Sequence, residues 1–162
     1  MNNNSLAGLP RSFGRLLSLQ TLKLCNNRLA ALPLSFGLLS WLSELWLDFN
    51  QLKELPDNFG RLGALRIAGL SYNQLASLPD SVGQLTSLED VNLTANSLKA
   101  LPESFGQLRA LKTARLHGNR LATLPESIGD LPALQWMLLG ANRVTSLPVS
   151  LGEVETLQAL DM

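Results

Sequence analysis

The sequence predicts an α/β solenoid in which one short strand from each repeated unit joins a parallel sheet, and short 3-10 or irregular segments close the opposite side. Three observations predict it. Asn recurs at 4, 27, 50, 73, 96, 119 and 142 and Pro at 10, 33, 56, 79, 102, 125 and 148, so both keep a step of 23. Ahead of each Asn, pairs such as Leu45 with Leu47 and Val91 with Leu93 alternate at period two, which puts both on the inner face of a strand. After each Leu-Pro too few residues remain for a full α-helix, so short turns are expected there.

Each repeated position has a physical task. A single strand cannot bury its apolar face, but strands of successive units set side by side form a continuous inner row, so each unit completes its core against its neighbours. Where the chain turns away from the strand its backbone loses sheet partners, and a carboxamide carries the donors and acceptor to replace them. Asn27, Asn50, Asn73, Asn96, Asn119 and Asn142 are therefore expected to point inward as a structural ladder. Pro then fixes a backbone angle, and the Gly at the next corner permits a positive torsion or a close contact between coils. Phe13, Phe36, Phe59, Val82, Phe105, Ile128 and Leu151 fill the far side of the core. Ala68 and Ala114 stand where larger apolar residues belong, which predicts local slack in the third and fifth strands.

Seven 23-residue units plus one residue make up the 162, predicting a single domain over 1–162 without complete terminal caps. Met1 and Met162 fall in the register of Leu24, so both ends break inside a strand position. Two readings follow: an excerpt from a longer chain, which is favoured, or self-association through the uncapped ends. With 46% hydrophobic residues and 13 basic against 13 acidic side chains, no general positive field favours nucleic acid or an anionic bilayer. The densest apolar stretch, residues 36–42, is far shorter than a membrane span. One cysteine, Cys25, allows no internal disulfide and predicts a reducing, cytoplasmic compartment. Of two glycosylation sequons, Asn3 to Ser5 and Asn92 to Thr94, the second would put a glycan in the middle of the strand wall.

The pattern LxxLxLxxNxLxxLPxxFGxL, in phase through the whole chain, resembles the leucine-rich repeat family. Its 23-residue Leu-Pro and Phe-Gly form is similar to intracellular Ras-group scaffold proteins and the repeat regions of Roco-type GTPases. The resemblance implies a horseshoe with its strands on the concave face, gripping a protein there. The expected function is a non-catalytic protein-protein interaction module in signalling or scaffolding, with a small GTPase or a signalling complex as partner. The alternative is the substrate-recognition region of a larger enzyme, such as an effector E3 ubiquitin ligase or a Roco-type GTPase.

If the repeated residues hold the coil, specificity falls to the variable, outward columns. Trp46, Phe49 and Tyr72 are expected on neighbouring strands, Phe49 and Tyr72 in one column, rimmed by Glu44, Asp48 and Ser71, with the composition of an interface hot spot. Stacking of Phe49 on Tyr72 to cover the core edge is the competing reading. Lys112, Arg115, His117, Arg120 and Arg143 gather on the fifth and sixth units, opposite Glu44, Asp48, Glu89 and Asp90 on the second to fourth. Such polarity would steer a charged partner, unless the charges only solvate the face. Trp136 and Leu138 offer a second apolar contact, or packing against a further unit.

No constellation in the sequence points to catalysis. Cys25 and His117 share a column but stand four strand spacings of about 4.8 Å apart, beyond hydrogen-bond reach. Glu44 and Asp90 lie two strands apart, roughly the separation of an inverting glycosidase pair, on an open wall with nothing to raise one pKa. The ligands for zinc are missing, as are a Walker-type phosphate loop and a dinucleotide-binding Gly motif, so no cofactor or metal is expected.

Overall fold

The computed structural model describes residues 3–162; Met1 lies outside the described residues. Seven three-residue strands, β1 (Thr21–Lys23), β2 (Glu44–Trp46), β3 (Ile67–Gly69), β4 (Asp90–Asn92), β5 (Thr113–Arg115), β6 (Trp136–Leu138) and β7 (Ala159–Asp161), pair in chain order as one parallel sheet. Their register follows the sequence period, with Leu45 facing Ala68 and Val91 facing Ala114. The opposite wall carries 3-10 turns at Phe13–Arg15, Leu34–Leu38, Phe59–Arg61, Asp80–Gln84, Glu103–Gln107, Glu126–Asp130 and Val149–Glu153. Pro places its carbonyl to start each turn: Pro33 accepts from Phe36 N at 2.8 Å and Pro102 from Phe105 N at 2.9 Å.

Curvature follows from unequal spacing. Parallel strands repeat at about 4.8 Å, whereas the stacked rings of Phe13, Phe36 and Phe59 on the opposite wall sit 6.2 and 6.5 Å apart. The wider wall becomes convex and the sheet concave. Between them, Leu45, Leu47, Phe36, Phe59 and Phe105 are essentially sealed from solvent.

The asparagine ladder is doubly braced. Asn96 Nδ2 donates to the carbonyls of Leu70 (3.0 Å) and Leu93 (3.1 Å), while its Oδ1 accepts from Leu75 N (3.0 Å). Leu70 O also accepts from Asn73 and Leu93 O from Asn119, so each of these carbonyls is shared by two rungs. Asn27 through Asn119 are buried, and Asn142 is half-buried.

Of the two tasks expected for the corner glycines, close contact is the one observed. A Cβ on Gly106 would lie 2.1 Å from the Ser127 carbonyl oxygen, and one on Gly60 would lie 1.9 Å from that of Ser81. Positive φ occurs instead just before the ladder, at Asn26, Phe49, Tyr72, Ala95, Gly118 and Ala141, where the strand ends and the coil turns. Phe49 and Tyr72 thus belong to these turns and not to the strands, a correction to their expected placement. The predicted slack appears at Ala68, which borders an apolar cavity of about 10 Å³ with Val91 and Phe59. Ala114 is fully buried, and its register neighbour Met137 has the unbranched reach to fill beside it.

Candidate functional site

The concave wall is built from the side chains that alternate with the buried Leu and Val positions. At its centre β3 contributes Gly69, the smallest residue of its column, beside Trp46 on β2 and Asn92 on β4. A glycine inside a strand marks the close approach of another group. Here two groups approach: a Cβ at Gly69 would be 2.5 Å from the Asp48 Oδ2 and 2.8 Å from the Trp46 Cε3. Trp46 was expected to stand outward as an anchor; it leans over β3 and is half-buried. Its Nε1 is enclosed with no acceptor among the described residues.

Trp46, Ile67, Gly69, Asp90, Asn92 and Arg115 line an open hollow of about 300 Å³. The Arg115 guanidinium donates to Asp90 on the adjacent strand and forms one wall of it. One boundary of the hollow is therefore aromatic and the other an ion pair, with Asn92 between them. Asn92 Oδ1 accepts from Thr94 N at 3.1 Å.

The expected polarity of the wall needs correction. Acids and bases of the third, fourth and fifth units meet and bind one another instead of presenting two free fields. Besides the Asp90–Arg115 pair, Glu89 accepts from Arg66 Nε (2.6 Å) and Lys112 Nζ (2.8 Å). Arg66 first, then Lys112, stabilises the carboxylate and lowers its pKa from the ordinary 4.5 to about 2. Asp48 is also committed: its Oδ1 accepts from Ser71 N (3.0 Å) and Ser71 Oγ (2.5 Å). Ser71 is buried, not a rim residue. Pairing comes from placing opposite charges on adjacent strands, within side-chain reach.

Elsewhere the predicted residues separate into smaller groups. Phe49 and Tyr72 stack face to face with ring centroids 4.3 Å apart, and remain about half exposed at the end of the wall nearest the ladder. Glu44 is half-buried beside Ile67, which separates it from Asp90 two strands away. His117 Nε2 meets Asp161 Oδ2 at 2.9 Å across Gly140. Trp136, 40% exposed, stands on β6 with Leu138, beyond the hollow. Cys25 and His117 are not brought together: the thiol lies 3.6 Å from Asp48 Oδ2, and burial, then that carboxylate, pushes its pKa above 9.0. Among the described residues no group of three or more His, Cys, Asp and Glu is arranged to hold a metal ion. Among them also, no helix is long and apolar enough to cross a membrane.

The hollow adds Ile67, Gly69 and Asn92 to the residues singled out as binding positions. Gly69 carried the signal, being the glycine of a column otherwise filled by larger side chains.

A curved parallel sheet with a variable inner wall and 3-10 turns behind it defines a repeat solenoid. Residues 47–161 match the family described as leucine-rich repeat region, and the chain belongs to the leucine-rich repeat family. A leucine-rich repeat protein of Leptospira interrogans superimposes with a TM-score of 0.93 and 37% identity, over 98% of this chain and 41% of that one. A plant peptide hormone receptor, solved in complex with its peptide RGF2, aligns at 0.84 with 30% identity, over 99% and 27% of the two chains. The ectodomain of the Arabidopsis thaliana membrane receptor kinase GASSHO1/SCHENGEN3, in complex with Casparian strip integrity factor 2, aligns at 0.81 with 34% identity, over 93% and 19%. The chain thus spans less than half the length of each of these structures. Comparison with curated proteins finds no match.

Proposed function

We propose that this chain is a non-catalytic protein-binding module whose concave wall receives a protein segment at the hollow between Trp46 and Arg115. The observation that carries the reading is the open hollow of about 300 Å³ on the concave wall, bordered by the Trp46 indole, Asn92 and the Asp90–Arg115 ion pair. Phe49 with Tyr72 on one side and Trp136 with Leu138 further along extend the wall with aromatic and apolar contacts, and Glu44, Asp48 and His117 add polar ones. The similar plant peptide hormone receptor, solved in complex with RGF2, supports a peptide or protein ligand over a small molecule. The role is signalling or scaffolding, with a small GTPase or a signalling complex as the partner class, in the cytoplasm, where Cys25 stays reduced and Asn92 is not glycosylated.

The test is affinity capture with the wild-type chain and with folded Trp46→Ala and Arg115→Glu variants. The reading predicts a set of proteins retained by the wild type and lost from both variants; identical captures from all three would refute it.

A further inference from the structure

The convex side carries a second feature that the concave wall does not explain. The last residues of the first three 3-10 turns form one column, Arg15, Leu38 and Arg61, and later repeats continue it with Gln84, Gln107, Asp130 and Glu153. Leu38 is therefore the apolar member of a polar column, and it is 49% exposed. Three residues on, Trp41 occupies a column that other repeats fill with Ser18, Ala64, Ser87, Ala110, Ala133 and Thr156, and it is 65% exposed. Leu17 on the preceding coil, diagonal to Trp41, is 56% exposed. Trp41 and Leu38 lie on the second coil with a neighbour on each side, so the core could have been completed with the small or polar residues used elsewhere in these columns.

The charge around this patch has one sign. Arg15 and Arg61 flank Leu38 on the adjacent coils, both are exposed, and neither has an ion-pair partner among the described residues. This contrasts with the concave wall, where Arg66, Lys112 and Arg115 are all paired. Tryptophan and arginine are the residue types that most often dominate binding energy in interfaces.

We propose that the Leu17, Leu38 and Trp41 face is a second docking surface, fitted to a protein segment that carries acidic residues around a large apolar side chain. The apolar side chain would lie on Trp41 and Leu38, and its flanking carboxylates would meet Arg15 and Arg61 in bidentate pairs. An extended or helical segment can lay itself along a convex ridge. A second copy of this chain is a poorer fit, because two convex faces touch over too small an area for the roughly 1,200 Å² or more of a stable interface. An anionic bilayer is also a poorer fit, since each basic residue contributes only about 1 kcal/mol there and the flanking column supplies two.

The surface is tested with a random dodecapeptide display library selected on the wild-type chain, followed by binding of the enriched peptides as synthetic copies. Enriched peptides should combine Asp or Glu with Leu, Phe or Trp. Trp41→Ser and Arg61→Glu should each weaken their binding at least tenfold, and Trp46→Ala on the concave wall should leave it unchanged. The exposed position of Trp41 and Arg61 keeps both variants folded, which circular dichroism verifies. The proposal is overturned if no acidic-apolar consensus emerges, or if the enriched peptides bind the Trp41 and Arg61 variants normally. It is equally overturned if Trp41 mediates binding to phosphatidylserine vesicles but not to the peptides, or if sedimentation shows a dimer that Trp41→Ser abolishes. Loss of peptide binding in Trp46→Ala alone would assign the peptides to the concave site and also overturn it.

Discussion

Replacing Asn96 with Ala probes the device that holds the coil together, and its cost can be worked from the hydrogen bonds. The carboxamide serves Leu75 N, Leu70 O and Leu93 O, and more weakly Thr94 O at 3.4 Å, which keeps Tyr72 N as a donor. They are not equivalent. Leu70 O keeps Asn73 as a donor and Leu93 O keeps Asn119, so each carbonyl loses one of two bonds, worth about 1 kcal/mol apiece. Leu75 N loses the acceptor that Asn96 supplied, and orphaning a buried donor costs about 1–3 kcal/mol. The sum is about 4 kcal/mol, a large part of a stability that for folded domains generally is about 5–15 kcal/mol. Asn96→Asp should cost at least as much, because it keeps an acceptor for Leu75 N but turns a carboxylate toward two carbonyls. Asn142 makes analogous bonds but is half-buried, so water replaces part of what Ala removes and the cost there should be about half. Urea denaturation followed by circular dichroism and tryptophan fluorescence measures all three. A loss below about 1 kcal/mol for Asn96→Ala, or equal losses at Asn96 and Asn142, would refute the bracing argument.

The remaining predictions are independent of the ladder. Gly106→Ala sets a methyl 2.1 Å from the Ser127 carbonyl oxygen and should lower stability by about 1–3 kcal/mol, whereas Gly152→Ala, with open space around it, should be near neutral in the same denaturation experiment. Glu89 has its pKa lowered to about 2, so its contribution is present above its unfolded pKa near 4.5 and disappears as pH falls from there toward 2. A stability difference between wild type and Glu89→Gln should be measurable at pH 6 and close by pH 2; a difference independent of pH would count against the pairing. The Cys25 thiol is raised above 9.0 by burial and by Asp48, so at pH 7.5 iodoacetamide should modify it more slowly than free cysteine. Asp48→Asn should speed that reaction; unchanged kinetics would discount the carboxylate.

Much of the scaffold was legible because period and chemistry coincide in each repeat. Asn96 and Asn119 recur at a place where the backbone must find substitutes for sheet bonds, and the inward alternation of Leu45 with Leu47 allows one register. The turn conformation was less legible: Phe49 and Tyr72 adopt positive φ, a torsion that favours glycine, because the ladder asparagine that follows fixes the turn whatever precedes it. Their stacking fulfils one of the two readings open in the sequence and leaves the outer faces available for contact. Charge columns were legible as positions but not as pairs. Asp90 and Arg115 were assigned to opposite ends of the wall, and only side-chain reach across one strand spacing shows that they join. The hollow depended on Gly69 letting the Trp46 ring lie down, a relation between two strands that no single repeat contains.

The measurement that bears most directly on the binding wall is the indole region of the ¹H–¹⁵N spectrum, where the chain's three tryptophans give three separable signals. On adding a partner recovered by affinity capture, the Trp46 indole N–H signal should shift as the partner seats in the hollow beside its ring. A bound complex in which the Trp46 signal stays where it was would contradict the account.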